Sequence, residues 1–434
     1  MALWALTSAA FSAIVVWKYA IFRNGVDLGI FTQVVASTGG SFSSTAEGGV
    51  NHLAVHWSPI LVAGWPFVRL FGPLGLELLQ ALLAAATLFP LWGLARARFR
   101  PPVAFALVAV AALYPVLCAN AVGDFHELAF VPFFSAALVW AADCRRFGLG
   151  LLAAFLLACV KEDQFFILMW NGGLLALFLR AEPAGRRFGL GVAGIGAASA
   201  ALYFGVLHAW LGPHLALTAA HFYDWSQPNL SGPRPASLLW PRLAYLASIL
   251  GPLAFVPCLS RYALFLVPGF AEALASHEPI TLVAGAHYSA NLTGYALAAF
   301  VDGAAVAALR SRIAGAAAAA AAAVASLAIA IWASPMEYWY YLYRLPDAHD
   351  ALLARTLAAL PPDASVGAED EIFAHLGRDP NASIDANGQT WFVYDATHFS
   401  VRWHDVDEPA IRALVARGVY RVASSDDGIV VLHR

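Results

Sequence analysis

Long apolar runs recur along the first three quarters of the chain, separated by short polar turns. Many of them approach the ~20 apolar residues that a helix needs to cross a hydrocarbon layer. The pattern predicts about eleven membrane spans, at residues 3–22, 74–95, 102–120, 128–142, 147–160, 165–179, 188–210, 241–259, 262–275, 292–309 and 313–332. Pro257, Pro268 and Gly269 interrupt the eighth and ninth of these. Such breaks are tolerated where neighbouring groups re-satisfy the freed backbone. The alanine run at 316–323 is weakly apolar but strongly helix-favouring, and it extends the last span. Between the first two spans lies a long loop, residues 23–73. Its apolar stretch 60–71 contains Pro66 and is too short to cross, which places it along the membrane interface.

From about residue 345 the pattern changes. Charged residues return, and Pro361-Pro362, Asp379-Pro380-Asn381 and Asn387-Gly388 are turn signals. Trp391-Phe392-Val393-Tyr394 and Ile429-Val430-Val431-Leu432 predict strands, and 407–418 a helix that ends at Gly418. The expected organisation is a transmembrane unit, 1–344, followed by a small α/β domain, 345–434, outside the membrane. No internal repeat is visible, which weighs against an inverted-repeat transporter.

Composition supports this picture. The chain is 60% hydrophobic and only 12% charged, with a mean hydropathy of +0.67. A soluble domain is nearer half apolar and a quarter charged. A net charge of -3 without a basic block excludes nucleic acid as a natural partner. Cys118, Cys144, Cys159 and Cys258 are scattered through apolar stretches and read as small core hydrophobes. No basic segment precedes the first apolar run, and Lys18 follows it, so the run reads as an uncleaved span rather than a signal peptide.

Arginines set the orientation. With the N-terminus inside, every inner turn carries arginine: Arg96, Arg98 and Arg100; Arg145 and Arg146; Arg180, Arg186 and Arg187; Arg261; Arg310 and Arg312. The outer loops hold few cations. Eight histidines lie in or beside outer segments and the other five in the tail, so all of them fall on the non-cytoplasmic side.

Candidate chemistry collects on that side. The first loop supplies Asp27, directly after the first span and between Gly25 and Gly29, then Glu47, His52 and His56-Trp57-Ser58-Pro59. Two very short loops supply Gly123-Asp124-Phe125-His126-Glu127 and Lys161-Glu162-Asp163-Gln164. Later outer segments add His221-Phe222-Tyr223-Asp224-Trp225 and Ala286-His287-Tyr288-Ser289. Each has a plainer reading. Asp124 and Asp163 precede helical runs and could be N-caps, and Lys161 with its acidic neighbours could be a surface ion pair. Trp57 could be an interfacial anchor. The convergence of three acidic loops and most histidines on one face favours a shared outer pocket.

These motifs carry a resemblance. Asp27-Leu28-Gly29-Ile30-Phe31-Thr32-Gln33, His56-Trp57-Ser58-Pro59, Asp124-Phe125-His126-Glu127, Lys161-Glu162-Asp163 and His287-Tyr288-Ser289-Ala290 occur here in order. Together they resemble the signature of an uncharacterised family of prokaryotic membrane proteins grouped with the GT-C glycosyltransferases. The tail segment Leu360-Pro361-Pro362-Asp363-Ala364-Ser365-Val366 is similar to that family's soluble end. The resemblance implies a multi-span enzyme of the cell membrane that takes a sugar from a polyprenyl-phosphate donor. It would pass the sugar to an acceptor, unidentified from sequence, on the non-cytoplasmic face.

In that reading Asp27 matches the first-loop acid and is the candidate general base, and Asp124, Glu162 and Asp163 match the later acids. Arg23, Gln33, His56, His126, Lys161, His287 and Tyr288 are candidate substrate-binding residues, Lys161, Arg23 and His56 foremost for the departing phosphate. Tryptophans and tyrosines of the outer loops, Trp57, Tyr223, Trp225 and Tyr288, could face a sugar ring. The cofactor is open. A divalent ion held by Asp27 with Asp124 or Asp163 is a candidate, although Val26 stands where many relatives carry a second acid. Two other classes stay in play. A transporter or flippase should line a path with ionisable groups near mid-membrane, for which Asp302 and then Glu77 are the candidates. A non-catalytic assembly protein of the envelope would use the tail as a binding module.

Overall fold

A computed structural model describes residues 1–212, 239–332, 344–386, 388–398 and 408–434. Helices occupy every expected span, but their lengths differ. Ala2–Ala20, Leu74–Arg96, Pro183–Leu211 and His287–Arg310 are each long and apolar enough to cross a membrane. Pro101–Ala112 and Pro115–Val122 make a fifth if counted as one span bent by 53°. Pro115 explains that bend, since proline removes a backbone donor and clashes with the preceding turn.

The other expected crossings are shorter. Phe147–Ala158 and Asp163–Phe178 have 12 and 16 residues. The stretch 241–275 is broken into the helix Leu239–Leu250, three 3-10 turns and the helix Val267–Ala275. Pro252 and Pro257 fall in those turns, and Ala254 and Phe255 adopt left-handed backbone between them. Among the described residues, length and composition single out four helices, or five with the bent pair, as clear spans, and the remaining expected crossings are shorter or broken.

The helix Ala290–Arg310 is the core of the bundle, buried along most of its length. Helices Asp163–Phe178 and Pro183–Leu202 pack closely because a Cβ on Gly172 would strike the backbone of Ala193, and one on Gly189 that of Ala176. Small residues at such crossings let helix backbones approach where no hydrophobic drive exists. Leu6, Phe105, Leu152, Phe155, Leu190 and Val206 are among the large apolar side chains left exposed on the perimeter. The interfacial stretch forms a 3-10 helix, Pro59–Gly64, and a short α-helix, Trp65–Phe71, with Trp65, Leu70 and Phe71 exposed. The four cysteines are free.

The C-terminal region is a five-stranded mixed sheet of order β2-β1-β3-β5-β4. Its strands are β1 (Val366–Ala368), β2 (Ala382–Ser383), β3 (Trp391–Asp395), β4 (Arg421–Asp426) and β5 (Ile429–His433). The two expected strands, β3 and β5, pair antiparallel at its centre. Asp427 and Gly428 both have positive φ in the β4–β5 turn, the conformation that tight hairpins require. The helix expected at 407–418 appears as Glu408–Ala416.

This domain rests on the segment that follows the first helix. His375 stacks between Tyr19 and Phe22, at centroid distances of 4.0 and 3.9 Å. Phe373 fills the space beside Gly29, which has no side chain to oppose it.

Candidate functional site

A cavity of about 800 Å³ opens where the helix Val26–Ala36 meets the turns 123–130 and 161–164 and the segment 268–290, with Ile384 of the sheet domain also lining it. The sequence places each element. Asp27 occupies the first turn of the helix Val26–Ala36, behind Gly25. The backbone N–H of Gly25 donates to Asp124 Oδ2 at 2.5 Å, so one acid fixes the entry of the segment that carries the other. Lys18 also holds Asp124, at 3.3 Å, together with Glu77 at 3.2 Å. Asp124 lines the cavity with its oxygens largely committed to this framework.

Asp27 is differently placed. Among the described residues no lysine or arginine pairs with its side chain, and His287 Nδ1 lies 3.9 Å from its Oδ2. Burial pushes its carboxyl up to about 8, assisted by the charges of Asp124 and Glu127, with Lys161 pulling the other way. The His287 ring lies flat on His126, with centroids 3.7 Å apart and an 8° interplanar angle. His126 Nδ1 accepts from the N–H of Leu128 at 3.3 Å. Burial, then the neighbouring His287 and Lys161, hold His126 well below the usual histidine range, although Glu127 Oε2 lies 3.0 Å from its Nδ1.

Lys161 Nζ lies 2.9 Å from Glu127 Oε1. Burial alone would lower its pKa, but Glu127, Glu162 and Asp163 raise it, and the ammonium stays charged. His56 is set by the hydrogen bonds of Trp57 Nε1 to Ala158 O at 2.8 Å and of the Ile60 N–H to Cys159 O at 3.0 Å. Its Nδ1 meets Glu162 Oε1 at 2.8 Å, and Glu162 Oε2 accepts from the Trp57 N–H at 2.9 Å. Burial would raise the Glu162 carboxyl, but His56 and then Lys161 outweigh it and hold it at about 2.

Asp163 forms a second cluster. Asn291 Nδ2 donates to Asp163 Oδ2 at 2.9 Å and to Glu272 Oε2 at 3.0 Å, while Gln164 Nε2 donates to Asn291 Oδ1 at 2.7 Å. Burial is the largest influence on Asp163 and raises it.

Of the eleven residues singled out from sequence, nine line this one cavity: Asp27, His56, Asp124, His126, Lys161, Glu162, Asp163, His287 and Tyr288. Two do not. Arg23 Nη1 pairs with Glu371 Oε2 at 2.7 Å and lines a separate pocket of about 230 Å³ against the sheet domain. Gln33 is buried as a fastener, donating to the carbonyls of Asp379 and Ala382 at 2.9 and 3.0 Å and accepting from Ser44 and Thr45. Neither contact was foreseeable without knowing that the tail folds back onto the first loop. His214 and the segment His221-Phe222-Tyr223-Asp224-Trp225 lie outside the described residues.

The sequence reading missed Glu272 and Asn291. Glu272 is the one carboxylate in the helix Val267–Ala275, and an ionisable group inside an apolar helix is itself a signal. The transport candidate Asp302 is locked into another network. Its Oδ1 meets Arg98 Nη2 at 2.8 Å and its Oδ2 accepts from Ser260 at 2.6 Å, while Arg98 also grips both Asp143 oxygens. Glu77 is likewise engaged by Lys18, Asn24 and the N–H of Phe125. Metal fit is poor. Among the described residues no group of three or more His, Cys, Asp or Glu side chains is arranged to hold an ion. Asp124 and Asp163 are turned to Lys18 and Asn291 rather than to Asp27.

A helical bundle with an apolar perimeter, carrying a charged cavity beneath a small sheet domain, defines a multi-span membrane protein. The family model described as "Predicted membrane protein (DUF2079)" matches residues 17–431, and the chain belongs to that family. No curated protein matches the sequence. Among the solved structures that share the fold are two of ArnT from Cupriavidus metallidurans. The one bound to undecaprenyl phosphate is 13% identical, with a TM-score of 0.59 over 99% of this chain and 97% of that one. The apo form is 14% identical, with a TM-score of 0.56 over the same shares. The relation to the GT-C glycosyltransferases expected from the motifs is therefore borne out at the level of fold.

Proposed function

We propose that this protein is a GT-C-type glycosyltransferase. It would move a sugar from a polyprenyl-phosphate donor to an acceptor on the non-cytoplasmic face of a prokaryotic cell membrane. The observation that carries this reading is the cavity itself. In a fold shared with an undecaprenyl-phosphate-bound ArnT, a carboxyl with a pKa near 8 and a buried lysine line one chamber.

The chemistry is substitution at the anomeric carbon. Asp27 takes the proton of the acceptor hydroxyl as its oxygen bonds to that carbon. The bond from carbon to phosphate oxygen breaks, and the lipid phosphate leaves with the electron pair. A base whose pKa lies near the working pH suits this role. Lys161 faces the charge that develops on the phosphate, since fixed cations in a dry site stabilise it strongly. Glu127 and Glu162 hold Lys161 charged, and Glu162 also holds His56. Asp124 positions the Asp27 segment through Gly25. Each step uses this chain's own side chains, since among the described residues no three acidic or histidine groups gather to hold an ion.

The topology follows the arginine pattern, with the N-terminus cytoplasmic, residues 1–344 as the transmembrane unit and 345–434 outside. Two features support it. The charged cavity draws on segments assigned to the outside, and the Arg98–Asp143 pair joins two turns assigned to the inside.

Purified protein and labelled polyprenyl-phosphate sugars test the reading. Wild type should release lipid phosphate, and Asp27→Asn should insert normally but transfer no sugar. Full activity in that variant would remove Asp27 from the base role. No turnover by wild type would favour an assembly protein.

A further inference from the structure

Lys18 is a buried lysine near the end of the first helix, Ala2–Ala20, with only 1% of its side chain exposed. Its Nζ donates to the Gly123 carbonyl at 2.8 Å and to Asp124 Oδ1 at 3.3 Å, and it pairs with Glu77 Oε2 at 3.2 Å. An ammonium has three protons to give. The turn 123–124 and the helix Leu74–Ala86, which carries Glu77, take all three. Lys18, Asn24 and Glu77 do not line the cavity, so they meet no substrate there.

The two acids pass this hold on to the segment that carries Asp27. Glu77 Oε1 accepts from Asn24 Nδ2 at 2.8 Å, and Asp124 Oδ2 accepts from the Gly25 N–H. Asn24 and Gly25 are the last two residues before the helix Val26–Ala36, and Asp27 is its second. The approach is close enough that a Cβ on Gly25 would strike Asp124 Oδ2. The turn bearing Asp124 is itself pinned. Glu77 Oε1 accepts from the Phe125 N–H at 3.2 Å, and Gln80 Nε2 donates to the Gly123 carbonyl at 2.9 Å. A chain of bonds thus runs from Lys18 to the two residues that set where the Asp27 helix begins.

Stability alone is a poor account of such a set. Taking charges out of water offsets most of their attraction, and apolar residues of like volume commonly hold a core as well. What the set supplies is fixed geometry. A base must stand within about 3 Å of the proton it takes, and a misplacement of about 1 Å costs on the order of 100-fold.

We propose that Lys18 is a positioning residue for the Asp27 carboxyl: it holds Asp124 against Gly25, while Glu77 holds Asn24, and together they fix the start of the Asp27 helix. This rests on the glycosyltransferase reading and adds to it a residue that acts through Asp124 without touching donor or acceptor.

The test uses the full chain in lipid nanodiscs and the variant Lys18→Met/Glu77→Gln, which removes both charges of the pair while the new amide can still accept from Asn24 and Phe125. It should melt within a few degrees of wild type. Amide hydrogen exchange should quicken in residues 23–28 and stay as in wild type elsewhere in the bundle. Unchanged exchange in that segment overturns the proposal. Asp124→Asn, which leaves Lys18 and Glu77 paired, should quicken the same exchange, and it decides the matter even where the first variant does not fold. With labelled polyprenyl-phosphate sugars, Lys18→Met/Glu77→Gln should lower kcat about 10- to 100-fold with donor KM unchanged. No loss, or a raised KM with kcat kept, overturns it. In an Asp124→Asn background the same two substitutions should add little, because Lys18 acts through Asp124; losses that multiply overturn it too. Absence of donor turnover by wild type instead sinks the glycosyltransferase reading, and hydrogen exchange still decides whether Lys18 holds the segment.

Discussion

Asp27 Oδ2 and His287 Nδ1 lie 3.9 Å apart, beyond hydrogen-bonding distance, with the His287 ring fixed flat against His126. No cation neutralises Asp27, so burial and the facing acids Asp124, Glu127 and Asp370 raise its carboxyl to about 8, against the pull of Lys161. The sign follows directly. Below that pH Asp27 is protonated and cannot act as a base, so kcat/KM for transfer should climb about tenfold per unit from pH 6 to 7. It should level off above about 8. A pH–rate profile in a buffered nanodisc assay checks this, and a profile flat from pH 6 to 8 would remove Asp27 from the proton transfer.

Glu162 behaves in the opposite sense. His56 and Lys161 hold its carboxyl at about 2 against the effect of burial. A depressed carboxyl contributes stability that is full above its unfolded value and is lost as pH falls through the folded one. Thermal melts should therefore drop between about pH 4.5 and 2. Glu162→Gln should flatten that limb while costing about 1–3 kcal/mol at neutral pH, through the weakened bonds to His56 and the Trp57 N–H.

How much of this was legible depends on the kind of signal. Asp27, Lys161 and His287 were visible because polar residues at the mouths of apolar runs stand out, and short loops leave them few places to go. The span count was less legible. Composition marks 241–275 as apolar, but only the three-dimensional structure shows Ala254 and Phe255 in left-handed backbone, cutting the run into turns. Arg23 and Gln33 were misplaced for a different reason. Their partners, Glu371, Asp379 and Ala382, are more than 300 residues away, and no local periodicity encodes that docking. Glu272 was readable in principle as a lone acid in an apolar helix.

Gln33 makes a prediction about the sheet domain. One side chain gives two bonds to the domain and accepts three from Ser44 and Thr45. Gln33→Ala should cost roughly 2–3 kcal/mol by leaving buried carbonyls short of donors. The loss should appear locally. Limited proteolysis should release the domain from residue 344 onward faster than in wild type, with the bundle intact. Unchanged cleavage would mean that the stacking of His375 on Tyr19 and Phe22 suffices to hold it.

Asp302 separates chemistry from transport. In a transporter it would be the mid-membrane group that protonates or binds cargo, and Asp302→Asn would uncouple uptake without unfolding the protein. Here Asp302 accepts from Arg98 at 2.8 Å and from Ser260 at 2.6 Å, and Arg98 also clamps Asp143. Neutralising Asp302 weakens its charge-assisted bonds from Arg98 and Ser260 but leaves Arg98 paired with Asp143, costing about 1–3 kcal/mol. Asp302→Asn should thus lower the melting temperature markedly while the folded fraction keeps wild-type turnover of lipid-linked sugar. Arg98→Met in the same background should cost more stability still, because it strands the Asp143 carboxylate that Arg98 clamps at 2.6 and 2.7 Å. A variant that melts like wild type but loses activity would mean that Asp302 acts on a substrate, and the transport reading would return.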